Sequence, residues 1–254
     1  MQARIVAGSR GARWVAEGWR LFRGAPFGWL AAVFGYWLVM TVVSLLPLIG
    51  IAAAALLVPA FSVGFMALAR AASRGARLEV AFLLDGFRHE PRTQLVLGSI
   101  YLVALALLLA ASRFADDGAL ALWMLTGARP SEEMLDSPAF IGALLTAAAL
   151  YLPVMFAFWF APALAAWHGT GALKALFFSL AASLMNWRAF LVYGAVTGAI
   201  TLAAPLLLVQ ALAFAGVGRI GPGIVLPLAI LLLPTLFASF YASYRDVFGY
   251  DAPP

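Results

Sequence analysis

Two histidines, His89 and His168, are the residues of this chain best suited to hold a metal or a haem, and 11 Asp and Glu residues are the available acids and bases. A metal site converges three or four His, Cys or carboxylate donors. There is no cysteine, which excludes disulfides and thiolate sites, and neither histidine segment offers enough further donors. Haem-binding bundles carry their histidines within spans, whereas both of these fall in connecting segments. Asp116, Asp117, Glu132, Glu133 and Asp136 crowd one connection, away from either histidine, so no paired acid and base emerges. Gly-x-Gly at 216–218 and 221–223 lacks the soluble strand–turn–helix context of a phosphate cradle. The expectation is a protein that is not an enzyme and has neither cofactor nor metal.

The remaining charge-bearing constellation is arginine. Arg10, Arg13, Arg20 and Arg23 lie near the N-terminus, and Arg70, Arg74, Arg77, Arg88 and Arg92 lie in one connection. Juxtamembrane bases attract anionic headgroups at about 1 kcal/mol each. Arg13, Arg20, Arg23, Arg74, Arg77 and Arg88 are therefore the candidate anionic-lipid contacts, although a topology signal alone accounts for such clusters.

The elements that position these groups follow from composition. The chain is 65% hydrophobic and 11% charged, with a mean hydropathy of +0.98. Only a bilayer solvates so apolar a surface. Crossing about 30 Å of hydrocarbon takes about 20 helical residues, and the apolar runs here are long and continuous rather than alternating as in a barrel. The expected fold is an all-α polytopic bundle: six transmembrane helices with three cytoplasmic interfacial amphipathic helices. It forms a single integral membrane domain over 1–254. An amphipathic helix (1–25) precedes the first two spans (26–69), and a basic elbow (70–93) follows. Next come the third and fourth spans around an acidic outer loop (94–167), a second elbow (168–187), and the last two spans with the tail (188–254).

In the N-terminal helix Arg10, Arg13, Glu17 and Arg20 make a charged stripe opposite Val15, Trp19 and Phe22, with Ser9 as expected N-cap. In the basic elbow Val80, Leu83, Leu84 and Phe87 stand at i, i+3, i+4 and i+7. In the second elbow Leu173, Leu176, Phe177, Leu180 and Leu184 form an apolar stripe, leaving Ser179, Ser183 and Asn186 on the side expected to meet water. Carboxylates are absent from the expected spans, which counts against an ion-coupled pump. Of the 16 Lys and Arg, only Arg113, Arg129 and Arg219 lie on the side opposite the termini. By the positive-inside rule both termini are cytoplasmic.

Residues 67–98 and 163–194 align at constant offset, with Gly75/Gly171, Phe82/Phe178, Arg92/Arg188, Val96/Val192 and Gly98/Gly194 as the informative identities. The reading is three tandem parallel repeats, each an interfacial helix followed by two spans.

At WFAPALAAWHG (159–169), NWRAFLVYG (186–194), YASYRDVFG (241–249) and the entry GWRLFRGAPFGWL (18–30), the chain resembles a family of proteobacterial six-span inner-membrane proteins. No activity is established for that family. The resemblance implies a bacterial inner-membrane location and the six-span plan, and no site residue. The functional expectation is a non-catalytic scaffold, assembly or regulatory partner of a membrane complex. The alternative is a transporter or lipid-handling protein, suggested by repeats and proline-broken spans. Expected partners are the bilayer, anionic lipids and another membrane protein, and no nucleic acid.

Overall fold

A computed structural model describes residues 2–47, 49–216 and 221–249, and every regular element among them is helical. Leu48 in the first tight turn, residues 217–220 with Arg219 and most of the first Gly-x-Gly, and the tail from 250 lie outside the described residues. In order, the elements are α1 (Arg10–Gly24), α2 (Pro26–Ser44), α3 (Gly50–Ser73), a 3₁₀ turn (Val80–Leu84), α4 (Asp85–Arg88), α5 (Pro91–Asp116), α6 (Ala119–Thr126) and α7 (Glu132–Leu135). Then follow α8 (Pro138–His168), α9 (Ala172–Met185), α10 (Trp187–Gly198), a π turn (Ala199–Ala203), α11 (Ala204–Phe214) and α12 (Gly221–Phe248). Among the described residues, five stretches are long and apolar enough to cross a bilayer: α2, α3, α5, α8 and the continuous run Trp187–Phe214. The sixth expected span falls on α12, which is 28 residues long and has side chains outside the described set in its first turns.

Local chemistry sets the helix ends. Pro138 opens α8 behind Ser137, whose hydroxyl accepts the Phe140 N–H at 3.2 Å, the arrangement in which proline's missing donor costs nothing. Gly75 (φ +71°) closes α3 in a Schellman turn: Ala76 N–H reaches Ala71 C=O and Gly75 N–H reaches Ala72 C=O. Glycine suits this position because a left-handed residue with a Cβ is strained. After α8 the left-handed residue is Gly169 (φ +60°), so Gly171, which aligns with Gly75, does not share its role. The π turn immediately precedes Pro205. Proline cannot supply the N–H that the Thr201 carbonyl would take, and the ladder slips by one residue.

The chain packs as two compact units whose boundaries fall inside α2, α3 and α9. One comprises Met1–Leu38, Phe61–Asp85 and Ala181–Pro254, the other Val39–Ala60 and Gly86–Leu180. In the first, Trp14, Trp29, Phe65, Leu68 and Tyr244 are fully or almost fully buried. Phe65 and Phe237 stack at 3.9 Å, and Tyr36 packs edge-on against both Phe61 and Phe65. In the second, Leu97, Phe160 and Leu164 are fully buried. The Gln94 amide donates to the Pro162 carbonyl at 2.9 Å, while its own Oε1 has no hydrogen-bond partner among the described residues. Burial concentrates toward the C-terminal ends of α3, α8 and α12, at Ala60–Ala69, Phe160–Ala166 and Ala238–Val247. Elsewhere the spans expose large apolar side chains such as Leu38, Val42, Leu107, Leu145 and Leu206. In water that exposure would be strongly unfavourable; in hydrocarbon it is neutral.

Several sequence expectations change here. Of the expected apolar stripe of α9, Leu173, Phe177 and Leu184 face outward while Leu176 and Leu180 are half-buried, and Ser179 and Ser183 are buried rather than turned to water. Small side chains let a helix approach closely, so the weakly polar side of α9 is its packing side. Ser179 Oγ accepts the Phe160 N–H at 2.9 Å and donates to the Phe156 C=O at 2.8 Å, inserting itself beside the α8 ladder. The basic elbow holds no continuous amphipathic helix. Its 3₁₀ turn buries Leu83 and leaves Val80 and Leu84 exposed. Ser9 makes no capping hydrogen bond. The acidic loop is structured: Asp116 is buried and accepts the N–H groups of Gly118 (2.9 Å) and Leu120 (2.7 Å) at the start of α6.

Candidate functional site

Charged residues of α1 and the end of α12 meet in the structure. Gly11, Trp14, Val15, Gly18 and Phe22 are the buried stripe of α1, at i, i+3, i+4, i+7 and i+11 on one helical face. This face packs on protein, so the interfacial helix expected to lay its apolar side in lipid is instead seated on its own fold. The contact is backbone-close. A Cβ at Gly11 would stand 2.0 Å from the Ala189 oxygen, and one at Gly18 2.3 Å from the Thr235 oxygen. Trp14 fills the space between them, edge-on to Phe190 at 5.5 Å.

Above that apolar seat the polar groups pair. Arg10 engages both oxygens of Asp246 through Nε and a terminal nitrogen. The Trp14 indole donates to the same carboxylate at 2.7 Å. Glu17 accepts from Arg245 and lies 3.5 Å from Arg10. A two-point guanidinium–carboxylate contact is the strong form of such a pair. It raises the Arg10 pKa above the ordinary arginine value, chiefly through the hydrogen bond to Asp246, against the lowering effect of burial. Arg10 meets Asp246 and Gly18 meets Thr235, so α1 runs antiparallel to α12. The N-terminal arm joins the same joint. Val6 N–H donates to Asn186 Oδ1 (2.8 Å), Asn186 Nδ2 to Arg4 C=O (3.0 Å), and Arg4 N–H to Val247 C=O (2.7 Å). Asn186, expected on a wet face, is buried. Deeper, the Tyr193 and Ser239 hydroxyls pair at 2.8 Å.

Beside this network opens a cleft of about 390 Å³. Glu17, Arg20 and Arg245 supply its charge, and the ends of α1 and α3, at Gly24, Ala72 and Ala76, supply its walls. The six candidate lipid contacts, Arg13, Arg20, Arg23, Arg74, Arg77 and Arg88, are all exposed. Arg20 reaches the cleft, and Arg23 lies 5.9 Å over the Trp19 ring. Arg88 belongs to the other unit. His89 follows α4 and His168 ends α8. Among the described residues no group of three or more histidines and carboxylates forms that could hold a metal.

The Arg10–Asp246 and Glu17–Arg245 pairs escaped the sequence reading because their partners are more than 200 positions apart. Two signals were present: glycines seven apart on one face of α1, and the adjacent Arg245-Asp246 in a terminal segment otherwise apolar and aromatic.

A probable inner membrane protein of Burkholderia thailandensis is 39% identical over an alignment of 259 residues that spans 100% of this chain and 96% of that protein. No family model and no solved structure matches the chain. An identity of this level over the full length, joined to the apolar helices above, makes this a multi-pass inner-membrane protein, and the chain belongs to the same family as the Burkholderia thailandensis protein.

Proposed function

We propose that this chain is a non-catalytic partner of a membrane complex, scaffolding, assembling or regulating it, with six spans and both termini in the cytoplasm. The observation that carries this reading is the mounting of α9. Ala175, Ser179, Ala182 and Ser183 are buried on its inner side, whereas Leu173 is 76% and Phe177 67% exposed. A helix fixed by its small residues presents a rigid apolar ledge, and rigid aromatic and aliphatic anchors are what partner recognition uses. The charged residues brought together elsewhere engage one another across α1 and α12, a structural use rather than a catalytic one. Arg13, Arg20, Arg23, Arg74, Arg77 and Arg88 contact anionic lipid on the cytoplasmic leaflet in this reading.

Copurification in mild detergent followed by mass spectrometry tests it. Phe177→Asp should leave the protein in the membrane and remove the copurifying partner. Retention of every partner by that variant would dismiss the ledge.

A second reading, lipid handling, rests on a different observation. An apolar groove of about 520 Å³ runs along α5, α6 and α8 in the second unit, lined by residues such as Leu105, Leu109 and Leu144. Its volume suits part of an acyl chain. Lipid exchange between labelled and unlabelled vesicles, accelerated by the reconstituted protein, would favour this reading over the first.

A further inference from the structure

We infer that the cleft bounded by α1, the end of α3 and Arg245 seats the phosphate of an anionic phospholipid headgroup. This inference rests on the lipid-contact reading above and narrows it from a basic surface to one site.

Three observations converge there. First, the cleft lies where two candidate spans end, at Gly24 and Ala25 just before Pro26–Ser44 and at Ala72–Ala76 at the end of Gly50–Ser73. That places it where the chain leaves hydrocarbon, at headgroup depth. Trp19, half-exposed on the same helix with Arg23 over its ring, has the aromatic–cationic character of that layer. Second, two guanidiniums face the cleft against one carboxylate, and that carboxylate, Glu17, is engaged by Arg245. The ion pair fixes Arg245 in place and leaves its other donors for a phosphate oxygen, while the exposed Arg20 supplies a second cation. Third, the walls offer room, and the last carbonyls of α3 are already engaged. A Cβ at Gly24 or Gly75 would meet nothing within 4 Å. The last carbonyls of α3, at Ala71 and Ala72, are taken by the Schellman turn and that of Arg70 by the Ser73 hydroxyl. A helix C-terminus with bare carbonyls would repel an anion. The apolar side chains of Leu21, Ala25 and Ala76 in the same cleft suit the glycerol end of a lipid better than free phosphate.

The full-length protein in detergent is titrated with phosphatidylglycerol, with phosphatidylcholine and with inorganic phosphate, and bound lipid is counted by native mass spectrometry. One phosphatidylglycerol should be retained in preference to phosphatidylcholine. Arg20→Gln should weaken its retention about five-fold, the effect of one interfacial cation. Gly24→Leu, which fills the cleft and removes no charge, should weaken it at least as much, and Arg88→Gln, at a lipid contact outside the cleft, should weaken it less than either. Equal small losses in Arg20→Gln and Arg88→Gln, with none in Gly24→Leu, would overturn the site while keeping diffuse lipid attraction. The absence of any preference for phosphatidylglycerol would overturn both readings. Displacement of the lipid by millimolar inorganic phosphate would overturn the lipid as the source of the phosphate.

Discussion

Glycine at positions 11 and 18 makes the most exposed claim at the level of single residues. Each lets a backbone carbonyl approach to a distance no Cβ tolerates. Gly18→Leu should therefore lower stability in detergent by about 1–3 kcal/mol, the usual cost of overpacking, or detach α1 outright. Gly24→Ala, on the same helix and facing open space, should be neutral or stabilising by up to about 1 kcal/mol, since glycine is the poorer helix former. If thermal unfolding shows equal losses for the two variants, close packing of α1 is not what holds it. The ion pairs give a second test. Arg10→Gln or Asp246→Asn should each cost about 1–3 kcal/mol, because a charged partner is left without its match. Made together, they should cost less than their sum by about 0.5–3 kcal/mol. Strict additivity in that cycle would mean the contact carries no coupling.

At the scale of the element, helical content, proline-opened helix starts and the outward side chains Leu173, Phe177 and Leu184 of α9 were legible in the sequence, because each follows from residues within a few turns of one another. The orientation of weakly polar faces was not. Ser179 and Ser183 look like a wet face beside a leucine stripe, but in hydrocarbon the apolar side seeks lipid and the small polar side seeks protein. The same inversion placed Asn186 inside. The elbow at Val80–Arg88 failed differently: its spacing fits an α-helix, and tertiary contact made it a 3₁₀ turn. Gly64 sits against the Leu83 backbone so closely that a Cβ there would stand 2.4 Å from the Leu83 oxygen. Two element-scale experiments follow. Ser179→Ala should destabilise by about 0.5–1.5 kcal/mol through its hydrogen bonds beside the α8 ladder, and a cysteine at 183 should resist a water-soluble thiol reagent in the folded protein. Asp116→Ala should cost about 0.5–2 kcal/mol as a lost helix cap and should speed amide exchange at Gly118 and Leu120. Unchanged exchange at those two amides would show that α6 is held by its apolar contacts to Phe140 and Ala143 alone.

On the scale of the whole molecule, the two ends of the chain meet. The N-terminal arm is bonded to the end of α12 through Arg4 and Val247, and α1 is paired to that same end through Asp246 and Arg245. With that joint at one membrane face, as the six-span proposal has it, the chain crosses an even number of times between its ends. Five stretches among the described residues qualify as spans by length and apolarity; in the six-span arrangement proposed above, α12, at 28 residues, makes the sixth crossing. In that proposal the positive-inside rule puts the basic connection Arg70–Arg92 and both ends in the cytoplasm. Reporter fusions after residue 2 and after residue 249 should both signal cytoplasm, and one at Glu132 should signal periplasm. Opposite signals from the two ends would break the parity argument and with it the α1–α12 joint. Matching periplasmic signals would preserve the joint and reverse the molecule, removing the cleft beside Arg20 and Arg245 from the cytoplasmic leaflet.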